Sequence, residues 1–163
     1  MSIIKELLKK EDSVLVFDVD GVLAKMEFGN HNHFVPEEEW HTLLRENQSL
    51  YTRDRVSKRM RNFINSRDIN RIYIITRTEH NNETQHKIEF ASQYYGILKE
   101  NVYYVEEEHE KAEKMVEIKK QYESLPDEQL IMIDDTVNVL NCIMENTNFS
   151  TAHISSFLDD IDE

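Results

Sequence analysis

The chain has 163 residues, with 32 acidic against 19 basic, and a formal charge of −13. That length suits one domain with a proper core, and so negative a chain repels phosphate backbones, which disfavours general nucleic-acid affinity. A single cysteine, Cys142, excludes an internal disulfide framework and fits a reducing compartment, so a cytoplasmic protein is expected.

Residues 2–10 alternate apolar and charged side chains too closely for a signal peptide or a membrane span, and they predict a short amphipathic helix packed on the domain. Next comes Val14-Leu15-Val16-Phe17, an apolar run that leads straight into Asp18-Val19-Asp20-Gly21. A short apolar run closed by a turn signal predicts a buried strand of a parallel sheet. Two acids at its end are costly near a core unless paired or bound to metal. Gly21 lets the backbone turn and approach a ligand closely.

Residues 24–50 are irregular and form a flap or insert beside the strand ends, with His31, His33, Phe34 and Trp40 as candidates for shaping it. Within it, Pro36 followed by Glu37, Glu38 and Glu39 predicts a helix start. Val56, Met60, Phe63 and Ile64 mark one helical face, and residues 71–76 form a second buried strand. Ile88, Ala91 and Tyr95 mark a helix closed by Gly96, and residues 102–105 form a third strand. Ala112, Met115, Val116 and Tyr122 predict the next helix, and residues 129–133 a fourth strand running into Asp134-Asp135. Val137, Leu140 and Met144 line a last helix before an edge strand at 151–154. Strands alternating with helices in this way predict an α/β fold: a three-layer, Rossmann-like parallel sheet of about five strands with helices on both faces.

Ligands of open α/β sheets bind at the carboxyl ends of the strands. There the prediction gathers Asp18 and Asp20 from strand one, Thr76 from strand two, and Asp134 and Asp135 from strand four, with Lys111 and Lys114 opening the helix after strand three. Taken singly these are ordinary: a strand-end threonine caps helices, and a lysine among glutamates is a solvated charge. Three or four converging carboxylates, however, cannot all stay ionised without a cation between them. Hard oxygen donors with room for phosphate and water favour Mg²⁺.

Asp18-Val19-Asp20-Gly21-Val22 resembles motif one of the haloacid dehalogenase-like (HAD) superfamily, whose members are mostly phosphohydrolases. Thr76 matches motif two, Lys111 or Lys114 motif three, and Ile131-Met132-Ile133-Asp134-Asp135 the acidic motif four, in the family's order over essentially the whole chain. Lys111 is preferred, because Met115 and Val116 follow it at the usual helical offset. The resemblance implies a single HAD-like domain over 1–163. It implies that Asp18 is the nucleophile, forming an aspartyl-phosphate, and Asp20 the general acid and base. Thr76, Arg77, Lys111 and Gly21 would hold the phosphoryl group. Mg²⁺ would sit among Asp18, Asp20, the carbonyl of Val19, Asp134 and Asp135, with Asp135 favoured as the direct ligand.

The gap from Thr76 to Lys111 holds one helix and one strand, which leaves no room for a large cap. Hydrolysis of a small phosphorylated metabolite or nucleotide follows. The alternative is a polynucleotide 3′-phosphatase-like enzyme, because residues 17–26, Arg77 and Ile133-Asp134-Asp135-Thr136 resemble that domain. A catalytically silent binding module is a third reading, weakened by the presence of both Asp18 and Asp20. A response-regulator receiver fails on the order of its acids, threonine and lysine along the chain.

Overall fold

The computed structural model describes residues 3–25 and 36–158. The apolar run at 14–17 is β1 (Val14–Phe17), buried along its whole length at the centre of a five-stranded parallel sheet. On one side it pairs with β2 (Ile72–Arg77), beyond which lies β3 (Val102–Val105). On the other it pairs with β4 (Leu130–Asp134), beyond which lies β5 (Ser150–His153). The chain therefore runs outward through β2 and β3, then returns past β1 to build β4 and β5. Loops leaving β1 and β4 diverge, and such a switch point opens a crevice at the carboxyl ends of the strands.

Side chains alternate across the pleat, so each central strand feeds two cores. Leu15, Phe17, Ile72, Ile74, Ile131 and Ile133 face α1 (Ile3–Lys9), α3 (Lys58–Asn65) and α4 (Asn81–Tyr95), where Leu8, Met60, Ile64, Phe90 and Tyr95 meet them. Val14, Val16, Tyr73, Ile75, Leu130 and Met132 face α5 (Lys111–Lys119) and α6 (Val137–Asn146). This is the three-layer α/β arrangement read from the strand–helix alternation. Phe17 sits fully buried in the first core, and truncating such a side chain to alanine costs about 3–5 kcal/mol.

Local signals account for most boundaries. The Ser57 hydroxyl accepts from the Met60 N–H at 3.3 Å and starts α3. Gly96 adopts φ +70° and ends α4, its own N–H and that of Ile97 bonding back to the Ser92 and Ala91 carbonyls. The triple-glutamate helix is α2 (Glu37–Arg45), with Pro36 capping it from outside rather than occupying its first turn. Val56 lies before α3, in a bridge to Ala24.

Two helical faces differ from the expectation. In α5 the buried positions are Lys111, Ala112, Met115 and Ile118, and Val116 is exposed. In α6 they are Val139, Leu140 and Ile143, with Val137 and Met144 turned to solvent. Both misreadings have one cause: several apolar residues per turn define more than one possible stripe, and only docking against the sheet selects among them.

Between β1 and β2 the described helices are α2 and α3, and between β2 and β3 there is α4; no large cap is present among them. Trp40 packs edge-on against Tyr51, with ring centroids 6.0 Å apart, as part of the local core. His31, His33 and Phe34 lie outside the described residues. No described helix is long and apolar enough to cross a membrane.

Candidate active site

Register alone brings the first acids together. Phe17 is aligned with Ile133, so Asp18 and Asp134 leave adjacent strands side by side, and the Asp18 N–H donates to the Ile133 carbonyl at 3.0 Å. One carboxylate oxygen from each of Asp18, Asp134 and Asp135 lies within 4.8 Å of the others. Lys111 reaches this cluster from the first turn of α5. Its Nζ lies 3.0 Å from Asp18 Oδ1, 2.9 Å from Asp134 Oδ2 and 2.9 Å from Glu108 Oε2, one acceptor for each ammonium proton. Lys114 instead pairs with Glu117 at the surface, which places Lys111 at the strand ends.

The two acids of β4 are held differently. Asp134 is buried, with one oxygen on Lys111 and the other accepting the Thr136 N–H at 2.8 Å. Asp135 is more open, and its Oδ2 rests against the first loop. A Cβ added at Gly21 would fall 2.1 Å from that oxygen, and Gly21 has φ +75°. Glycine is needed there on both counts.

Asp20 is held by a second ammonium. Its carboxylate lies 2.7 Å from Lys87 Nζ and accepts from the Tyr51 hydroxyl at 3.1 Å. Lys87 rises from α4 and is fully buried. It also lies 3.0 Å from Glu83 Oε1, and donates to the Arg77 carbonyl at 2.6 Å and to Thr76 Oγ1 at 3.2 Å. Thr76 is thus at the site, beside the second ammonium.

Three further expected site residues make contacts within the chain. The Val19 carbonyl accepts the N–H groups of Val22, Leu23 and Ala24 and closes the turn. The Gly21 N–H donates to the Ala24 carbonyl at 2.9 Å. The Arg77 guanidinium is exposed and binds the Glu79 carboxylate and the Glu106 carbonyl.

Electrostatics follow from six carboxylates facing two ammonium groups. Burial pushes the Asp18 carboxyl up to about 7; Lys111 opposes the shift, and the negative charges of Asp134 and Asp20 add to it. Burial would lower the Lys111 ammonium, but Asp18, Asp134 and Glu108 outweigh it and hold the group well above its ordinary range. The lysine is amply compensated, whereas Asp18 shares that single cation with two other acids. Asp135 is also raised, by burial and by Asp134. Such a donor set fits a hard divalent cation, because all its donors are oxygens and its charge is in negative excess. A cavity of about 620 Å³ opens elsewhere, lined by Asp12, Arg71 and Tyr122, and none of these carboxylates borders it.

No known protein family matches the sequence, and no curated protein does. Solved structures do resemble the fold. A structure of DsGPDH from Dunaliella salina superposes with a TM-score of 0.57 at 16% identity, covering 92% of this chain and 24% of that one. This chain therefore spans about a quarter of that protein's length, and the likeness is one of fold. The HAD domain of the effector protein Lem4 from Legionella pneumophila aligns with a TM-score of 0.47 at 14% identity, over 86% of this chain and 85% of that one.

Lys87, Glu83, Tyr51 and Glu108 escape a reading by motif. Lys87 did carry a signal: it lies three and four residues before Phe90 and Ala91, so it shares their buried stripe. A lysine on the apolar face of a helix is rarely buried without paired acids.

Proposed function

We propose that the chain is a Mg²⁺-dependent phosphomonoester hydrolase of the HAD type that works through an aspartyl-phosphate on Asp18. The observation that carries this reading is the convergence of Asp18, Asp134 and Asp135 around a buried Lys111 at the switch point of a parallel sheet. Asp18 and Asp135, with Asp134 behind them, would hold the Mg²⁺. The ion supplies positive charge to phosphoryl oxygens that the acids would otherwise repel.

In the first step an oxygen of Asp18 attacks phosphorus and the bond to the leaving oxygen breaks, with Asp20 delivering a proton to that oxygen. In the second, water attacks the same phosphorus, Asp20 takes its proton, and phosphate departs with the carboxylate of Asp18 restored. Lys111 and the Thr76 hydroxyl would hold phosphoryl oxygens, Lys111 exchanging one of its carboxylate partners for the phosphoryl group. Lys87 and Tyr51 grip Asp20 from two sides and fix where its proton is delivered. The net charge of −13 and the absence of a large cap among the described residues favour a small phosphorylated metabolite or nucleotide over a long polyanion.

The test is phosphate release from nucleotides, sugar phosphates, an aryl phosphate and a 3′-phosphorylated oligonucleotide, with Mg²⁺ and with chelator. Mg²⁺-dependent release that disappears in Asp18→Asn supports the reading. No release from any substrate, or equal release by Asp18→Asn, overturns it.

A further inference from the structure

A second cluster of metal-ligating side chains stands apart from the acids. His41, on α2, and His80, in the loop that caps α4, face each other with Nδ1 of the first 3.1 Å from Nε2 of the second. Their rings meet edge to face, with centroids 5.3 Å apart. Glu79 completes the group: its Oε2 lies 3.8 Å from His41 Nε2, and one ligand atom from each of the three residues lies within 4.8 Å of the others.

The facing nitrogens cannot both carry a proton at that distance. At least one presents a lone pair, and either a proton or a metal ion joins the two. Tetrahedral zinc, with Zn–N of about 2.0–2.1 Å, holds two nitrogens about 3.3 Å apart, close to the spacing found here. The third donor stands beside the other nitrogen of the His41 ring, Nε2, so a shared ion takes one nitrogen of His41 and draws Glu79 Oε2 in from within the 4.8 Å group. Arg77 binds Glu79 Oε1 at 2.7 Å and leaves Oε2 toward His41, and the Glu79 N–H is fixed by Glu83 Oε2 at 2.9 Å. Such outer contacts are what position the ligands of working metal sites.

We infer that His41, Glu79 and His80 form a second metal site, which binds a borderline divalent ion such as Zn²⁺ and ties α2 to the loop following β2. Two imidazoles and one carboxylate select zinc, cobalt or nickel, whereas the oxygen-only cluster at Asp18 selects magnesium; the two sites are separable by chemistry. The three described ligands leave one position of a tetrahedral ion for a further donor. The site bears on the acids through a short relay: Glu79 is held by Glu83, Glu83 pairs with Lys87, and Lys87 pairs with Asp20. Binding there does not depend on phosphatase activity.

The metal-stripped full chain is titrated with Zn²⁺, and separately with Co²⁺, in saturating Mg²⁺ so that the oxygen cluster is occupied. One ion per chain is expected, with the visible absorption of tetrahedral cobalt. Losing an outer contact of a metal site costs about 10–100-fold in affinity, so losing a ligand in His41→Ala or His80→Ala is expected to cost about 100-fold or more. Glu79→Gln, which keeps its shape, weakens binding as well, and Asp135→Asn leaves it unchanged. Circular dichroism verifies that each variant is folded. The inference is overturned if the wild type takes up no Zn²⁺ or Co²⁺ under these conditions, if the histidine variants bind as the wild type does, or if Asp135→Asn abolishes uptake.

Discussion

Lys87 offers the sharpest test of how the site is held together. Its ammonium is 2% exposed and serves Glu83, itself 7% exposed, and Asp20, which is 31% exposed. Lys87→Met keeps the length and apolar stem of the side chain but removes the charge. Glu83 is then left as a buried carboxylate supported by the Glu79 N–H alone. Removing one partner of a buried pair costs about 3–5 kcal/mol. Asp20 can recover water, so its share of the loss is small, and about 3 kcal/mol is expected. With an m-value of roughly 2 kcal/mol per molar urea, the midpoint falls by about 1.5 M with m unchanged. The double variant Lys87→Met/Glu83→Gln removes the stranded charge as well and recovers at least about 1 kcal/mol of the loss. The acids raise the folded pKa of Lys87 against the opposing effect of burial, from an ordinary 10.5. Its contribution is therefore fully present below pH 10.5 and is lost only as pH rises through the raised value. A single variant within about 0.5 kcal/mol of the wild type at neutral pH, the range typical of surface substitutions, would refute the buried-pair argument. So would a double variant no more stable than the single one.

Gly21→Ala places a side chain at φ +75° and against Asp135. It is expected to destabilise the chain by about 1–2 kcal/mol and to displace that carboxylate, abolishing any Mg²⁺-induced rise in Tm while the fold persists by circular dichroism. In the wild type, Mg²⁺ at a hundred times its dissociation constant is expected to stabilise by about 2.7 kcal/mol, or roughly 5–10 °C for a chain of this size; Asp135→Asn is expected to remove the shift, and an unchanged shift would exclude Asp135 as a ligand. If the proposed mechanism holds, Asp20→Asn is expected to slow alkyl phosphates far more than aryl phosphates in steady-state assays, because only the poor leaving group needs a proton. Equal slowing of both would count against its role as the acid.

The placement of Asp135 also explains a cost built into the site. The raised Asp18 and the raised Asp135 are each unfavourable for a cation-free fold. Buried charge of this kind persists where the surroundings hold it in place, and it gathers at functional sites. The stability of the chain and the affinity of its acids for a cation are therefore expected to rise and fall in opposite directions among variants of these residues.

Much of the architecture is legible in the linear order of residues. Val14-Leu15-Val16-Phe17 and Leu130-Ile131-Met132-Ile133 are unbroken apolar runs because parallel strands are covered on both faces, and that burial leaves no polar alternation to confuse the reading. The acids that follow them stand out for the same reason: a charge directly after a buried strand has to have a partner. The partners themselves were settled in three dimensions. Helical offset favours Lys111 over Lys114 without excluding either, and the docking of α5 turns the first inward and the second to Glu117. Val116, Val137 and Met144 are apolar yet exposed, since a stripe is chosen by the surface it meets. Lys87 and Tyr51 lie 67 and 31 residues from Asp20 and meet it only because α4 and the segment before α3 pack over the same edge of the sheet. Local pattern specifies which segments are buried, because burial is a property of a strand or a helix face; which charges meet depends on contacts between elements far apart in the chain, and those exist only once the sheet has assembled.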